Sequence, residues 1–160
     1  MSPAYLLQVI ARRAFNFKLN RMKKMSVWIK ELLKNLDEHV DPDTRMKIMQ
    51  ACGEKCPFTH LPDDRLLGIK NSAGSEHDFL MALCEQWRLK KENSRYFVVF
   101  YQCYCPLVND DISGASRTLC LCTLGNLKRK FAMGLDREVN VTMESTILAG
   151  DRECRFLIKI

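Results

Sequence analysis

Six of the eight cysteines in this 160-residue chain fall into three short-spaced pairs, and thiols grouped in that way are the residues best equipped for chemistry here. Cys103-Tyr104-Cys105 and Cys120-Leu121-Cys122 are separated by fourteen residues, and Cys52-Gly53-Glu54-Lys55-Cys56-Pro57 is a looser pair upstream. Zinc takes four ligands in a tetrahedron, with sulfur at about 2.3 Å, and thiolates suit it well. A site built from Cys103, Cys105, Cys120 and Cys122, with Cys52 and Cys56 as reserve ligands, is therefore one expectation. Two others stand beside it: a packing cluster of unligated cysteines, since free Cys is among the most buried residue types, and a redox pair or covalent nucleophile. In the nucleophilic reading, Cys105 or Cys122 would need a lowered pKa and a base such as His60. Cys84 and Cys154 read as packing residues.

These thiols must be positioned by regular elements, and the sequence marks most of them. Ser26 reads as an N-cap, followed by Ile29, Leu32, Leu33, Leu36 and Val40 on one helical face. Asp41 and Pro42 open a second helix that Gly53 closes, which predicts an αα-hairpin. Glu54 to Gly74, punctuated by Pro57, Pro62 and two glycines, reads as loop. Ser75 and Asp78 form a capping box before a third helix striped by Phe79, Leu80, Leu83, Cys84 and Trp87, reaching about Lys91.

Arg95 to Cys105 is dense in Tyr, Phe and Val and reads as a strand, so Cys103 and Cys105 would share one face about 6.6 Å apart. After a loop from Pro106 to Ser116, residues 117–133 carry a stripe of Leu124, Leu127 and Phe131 closed by Gly134. A helix beginning near Cys120 would offer N–H groups and positive dipole to its thiols. On a regular helix, however, Cys120 and Cys122 point about 200° apart. Val139, Val141 and Met143 alternate, Gly150-Asp151 turns, and Phe156, Ile158 and Ile160 alternate again, predicting an antiparallel hairpin. The order predicts an α+β fold, with N-terminal helices packed on a small antiparallel sheet that ends in a C-terminal β-hairpin.

Charge separates an arm from a body. The net +6 arises because residues 1–30 hold seven basic residues and no acid, which leaves residues 31–160 at −1. Leu6, Ile10, Ala14 and Phe17 recur at helical spacing among Arg13, Lys18 and Arg21, so residues 1–25 are expected to be a basic helical arm and 26–160 the domain. Sparse aromatic interleaving gives no strong evidence for nucleic acid, and nothing strong marks a membrane surface. Translation could begin at Met1, Met22 or Met25. No stretch approaches the roughly 18 apolar residues of a membrane span. The charges follow the Tyr5–Ile10 stretch, the wrong order for an export signal, so a reducing cytoplasm is expected. No phosphate loop, His-Glu-x-x-His helix or Gly-x-Ser-x-Gly elbow is present.

From about Tyr96 onward the chain resembles the small-molecule-binding domain named after bacteriochlorophyll 4-vinyl reductase. Carrying the resemblance are Leu119-Cys120-Leu121-Cys122-Thr123-Leu124-Gly125, Val139-Asn140-Val141-Thr142-Met143-Glu144-Ser145 and Gly150-Asp151-Arg152-Glu153-Cys154-Arg155-Phe156. It is also similar, in the last segment, to L-2-amino-thiazoline-4-carboxylic acid hydrolases. The first resemblance implies a fold shared with Golgi-transport TRAPP subunits, a homodimer, a pocket for a small hydrophobic molecule, and in some members zinc held by cysteines. The second implies a cysteine-dependent hydrolase of a small sulfur- or nitrogen-containing ring. The expectation carried forward is an apolar-ligand binding or sensing domain with a cysteine-rich, zinc-binding site beside an apolar pocket between the sheet and the Phe79–Trp87 helix.

Overall fold

The computed structural model describes residues 3–108 and 110–160, without the side chains of 3–6, 9–11, 13–16, 18 and 19. The expected stripe of Leu6, Ile10 and Ala14, and Asn109 in the expected loop, therefore lie outside the described residues. Among the described residues five α-helices and four strands follow in the order α1 (Pro3–His39), α2 (Pro42–Glu54), α3 (Asp63–Ser72), α4 (Glu76–Gln86), β1 (Leu89–Glu92), β2 (Arg95–Phe100), α5 (Cys120–Leu135), β3 (Asn140–Ser145) and β4 (Cys154–Lys159). Short 3₁₀ turns at Arg117–Leu119 and Ile147–Ala149 precede α5 and β4.

The expected α+β arrangement is present. All strand pairs are antiparallel, in the order β1-β2-β4-β3, and β3 and β4 are joined through Gly150, whose φ of 94° suits a residue without a side chain. Alternation works as the pattern requires: Val141, Cys154, Phe156 and Ile158 are buried, while Thr142 and Glu144 between them are exposed. α3, α4 and α5 cover that face, with Leu66, Leu83, Leu127 and Phe131 almost fully buried against the sheet. A second cluster joins Leu33 of α1, Met49 of α2, Val108 and Leu119.

Several boundaries differ from the sequence reading. Ser26 lies inside α1, which runs unbroken past it, because nothing in Met25-Ser26-Val27 stops a helix whose later turns are anchored by Leu33. The segment read as loop contains α3: Leu66 and Ile69 at helical spacing are buried, and Arg129 and Lys130 of α5 both bond the Asp63 carboxylate in its first turn. β1 takes residues assigned to the end of α4, and a turn through Asn93 and Ser94, both at positive φ, folds it onto β2. β2 ends at Phe100, so Cys103 and Cys105 belong to a loop. Gly53 lies within the last turn of α2, and α5 passes Gly134 to cap at Asp136 in the left-handed region.

α2 and α5 meet backbone to backbone, and this seam sets the frame of the site. A Cβ on Gly53 would lie 1.9 Å from the Cys122 carbonyl oxygen, and one on Gly125 would lie 2.0 Å from that of Gln50. Only glycine fits at either position.

Candidate functional site: a thiol-lined apolar cavity

The loop after α2 folds back over α5. Asn126 of α5 donates from Nδ2 to the Gly53 carbonyl at 3.2 Å, and the Thr59 hydroxyl lies 3.4 Å from Asn126 Oδ1. Those bonds hold the loop carrying Cys56, Phe58 and His60 opposite the loop carrying Cys103, Tyr104 and Cys105. Between them is a cavity of about 120 Å³, floored by Leu119, Leu127, Leu148 and Phe156 and flanked by Trp87 and Phe100. Phe58 and His60 are exposed and form its mouth. Cys56, Cys103, Cys105, Cys120, Cys122 and Cys154 all line it, so the cysteines do converge. Cys52 is exposed outside the cavity, and Cys84 packs against the main core from α4.

They do not converge as a metal site. Among the described residues no group of three or more His, Cys, Asp or Glu is arranged to hold a metal ion. The zinc site expected of Cys103, Cys105, Cys120 and Cys122, with Cys52 and Cys56 in reserve, is therefore corrected, and with it the zinc-bearing binding or sensing domain. All eight cysteines are free thiols. The reason is helix phase: with α5 starting at Cys120, its two thiols diverge as a regular helix dictates. Cys120 turns towards Cys154 and Cys122 towards Cys56. Loss of strand geometry at 103–105 removes the second convergent pair.

The same geometry counts against Cys105 or Cys122 as a nucleophile. Burial pushes both thiols up, with neighbouring Cys56 adding to the effect at each. His60 is held below its ordinary value by burial and then by the Arg88 charge. Its ring stands edge-on to Tyr104 at 5.1 Å, and the Arg88 guanidinium lies 4.2 Å over the other ring's centroid, so His60 serves an aromatic stack at the mouth.

Cys154, which its own position marks as a packing residue and which also stands in the Gly150–Phe156 motif of the resemblance, behaves differently. Cys120 Sγ lies 2.8 Å from Thr146 Oγ1, Cys154 Sγ lies 3.6 Å from the same oxygen, and the Ile147 N–H donates to Cys154 Sγ at 3.4 Å. The Cys154 thiol is lowered, first by its hydrogen bond with Cys120 and then by Ile147 and Thr146, against burial and the Asp151 carboxylate. Cys120 is raised by that partner and by burial. Thr146 could have been singled out from sequence, because a Ser-Thr pair just before a short apolar stretch and a Gly-Asp turn signals a capped turn.

Residues 9–160 match a family of unknown function, DUF6144. The chain belongs to that family. No curated protein and no solved structure matches it. For this member of DUF6144 the described helices include none long and apolar enough to cross a membrane.

Proposed function

We propose that the DUF6144 domain binds a small, mainly apolar molecule in the cavity between α5, the end of β2 and the loop from Cys56 to His60, without a metal. The observation that carries this reading is the lining itself: leucine, phenylalanine and thiol side chains around an interior space that opens at Phe58 and His60. Its volume of about 120 Å³ supports a ligand near the size of a single ring, since an apolar cavity of roughly 150 Å³ takes up benzene. One polar feature adds detail. Among the described residues the buried Trp87 indole N–H has no hydrogen-bond partner, and Trp87 lines the cavity, which favours a ligand bearing one hydrogen-bond acceptor.

Titration with benzene and with cyclohexanone, followed through the methyl resonances of Leu119, Leu127 and Leu148, tests the reading. Both compounds should shift those methyls, with the ketone binding more tightly, and Leu148→Trp should fill the space and abolish the shifts while the fold persists. Unshifted methyls in the wild-type protein would refute it.

A further inference from the structure

Among the described residues, α1 is fixed to the body by its later turns. Leu33 is buried, Ile29 and Leu36 pack beside it in the second cluster, Lys30 pairs with Asp111 at 3.0 Å, and Asp37 accepts from the Thr118 hydroxyl. Met22, Ser26 and Ile29 are half-buried and continue that inward face towards the N-terminus. Every other described side chain of α1 before Ile29 is exposed.

A second apolar stripe lies beside the inward face, and no described residue covers it. Because α1 runs unbroken through Ser26, residues that the sequence reading divided between an arm and a domain helix stand on one helix. At about 100° per residue, Leu7, Phe17, Met25, Trp28 and Leu32 fall within an arc of about 80°, along roughly 37 Å of helix. Phe17 is 72% exposed and Trp28 65%. An uncovered apolar stripe of that length marks an interaction surface rather than scattered surface residues.

The surrounding charge decides what the stripe meets. Residues 1–30 carry seven basic side chains and no acid. By helical phase Lys24 borders the stripe and Arg21 lies within it, while Arg12 and Lys23 stand on the far side. A second copy of the arm laid along the first would bring like charge against like, which opposes self-pairing. Nucleic acid would use the basic residues, but Leu7, Met25 and Leu32 offer it neither charge nor a stacking ring. The interface of an anionic bilayer uses both features. Apolar side chains enter the acyl boundary, tryptophan sits at headgroup level, and the stems of Arg21 and Lys24 lie along apolar surface while their charges reach lipid phosphates.

We infer that the outer face of α1, from Leu7 to Leu32, docks on the surface of an anionic lipid bilayer, with the helix lying in the plane of the interface. The inference is independent of the cavity reading above.

Co-sedimentation of the full chain with vesicles tests this, using phosphatidylcholine alone and phosphatidylcholine mixed with phosphatidylglycerol. The wild type should bind the mixed vesicles about tenfold or more tightly than the neutral ones, and raised salt should weaken that binding. Its tryptophan emission should move to shorter wavelength on the mixed vesicles, and Trp28→Ser should lose the shift. Trp28→Ser and Phe17→Ser should each weaken binding about fivefold or more, through lost apolar burial. A chain carrying both Lys23→Glu and Lys24→Glu should bind the mixed vesicles no better than the neutral ones. Val27 is as exposed as Trp28 but lies about 100° around the helix, so Val27→Ser should bind as wild type. All the substituted side chains are exposed, and far-UV circular dichroism checks that each variant keeps the fold. No vesicle binding, equal binding to both vesicles, or a Trp28→Ser chain that binds as wild type would overturn the docking surface. So would a lipid-free dimer that Trp28→Ser dissolves, which would assign the stripe to a second copy. Duplex DNA binding that Trp28→Ser leaves unchanged, without vesicle binding, would assign the charge to nucleic acid and overturn it as well.

Discussion

Cys120 and Cys122 are two residues apart at the start of one helix, yet they occupy different chemical neighbourhoods. Cys120 faces inward to Thr146 and Cys154, where hydrogen-bond donors converge. Cys122 faces Cys56 at the α2–α5 seam, where burial acts with no comparable donor set and the thiol is pushed up. Proximity of sulfurs is the same on both sides. What differs is the supply of N–H and O–H groups, so reactivity here follows the polar atoms around a thiol rather than the number of thiols nearby.

Substitution at the seam should break the Cys122 side most severely. Gly53→Ala forces a Cβ into the Cys122 carbonyl, and because the obstacle is backbone, the cost is expected to be on the order of 3 kcal/mol or more. Denaturant melts would measure it, and Cys122 and Cys56 should become the first of the cavity-lining thiols exposed to alkylation. A change under about 0.5 kcal/mol, the usual range for surface substitutions, would show that the seam is not close-packed.

On the other side, Thr146→Val removes the shared hydroxyl and the cap of the 3₁₀ turn at a buried position. Its expected cost is about 1–2 kcal/mol. Alkylation of Cys154 should slow while that of Cys122 stays as it was. Equal slowing of both would mean that Thr146 acts through general packing.

The smallest effect concerns an anchor remote from both thiols. Arg129, then Lys130, hold the Asp63 carboxyl well below the usual carboxylate range. A depressed carboxylate contributes stability that is present above its unfolded pKa, near 4, and is lost as pH falls through the folded value. Asp63 is 41% exposed, so screening limits the contribution to less than about 1 kcal/mol at neutral pH. Asp63→Asn should therefore lower the melting temperature slightly at pH 7, the gap should narrow in acid, and neither thiol neighbourhood should respond.

Local signals carried the fold further than the site. Asp41 and Ser75 cap their helices as read, and the alternation through Val141, Phe156 and Ile158 yields the antiparallel sheet. α3 was obscured by Pro57 and Pro62 beside a short stripe, although its burial comes from tertiary contact of Leu66 and Ile69 and from the Asp63 bonds to α5. The convergence of cysteines was legible from pair spacing, but their partners were not. Which way Cys120 and Cys122 point depends on the residue at which α5 begins, and Cys154 meets Thr146 only through the fold of the β3–β4 connection. Treating Cys103 and Cys105 as a strand pair failed because β2 loses its pairing partner beyond the Phe100–Cys154 register.

Residue-resolved methylthiolation of the native, reduced protein by a small apolar reagent, methyl methanethiosulfonate, across pH 5–9 addresses the central claim most directly. Cys154 should be modified at lower pH than Cys105 or Cys122, and benzene should protect it. Modification of Cys122 at or below the pH at which Cys154 reacts, or of Cys154 unaffected by benzene, would contradict the account.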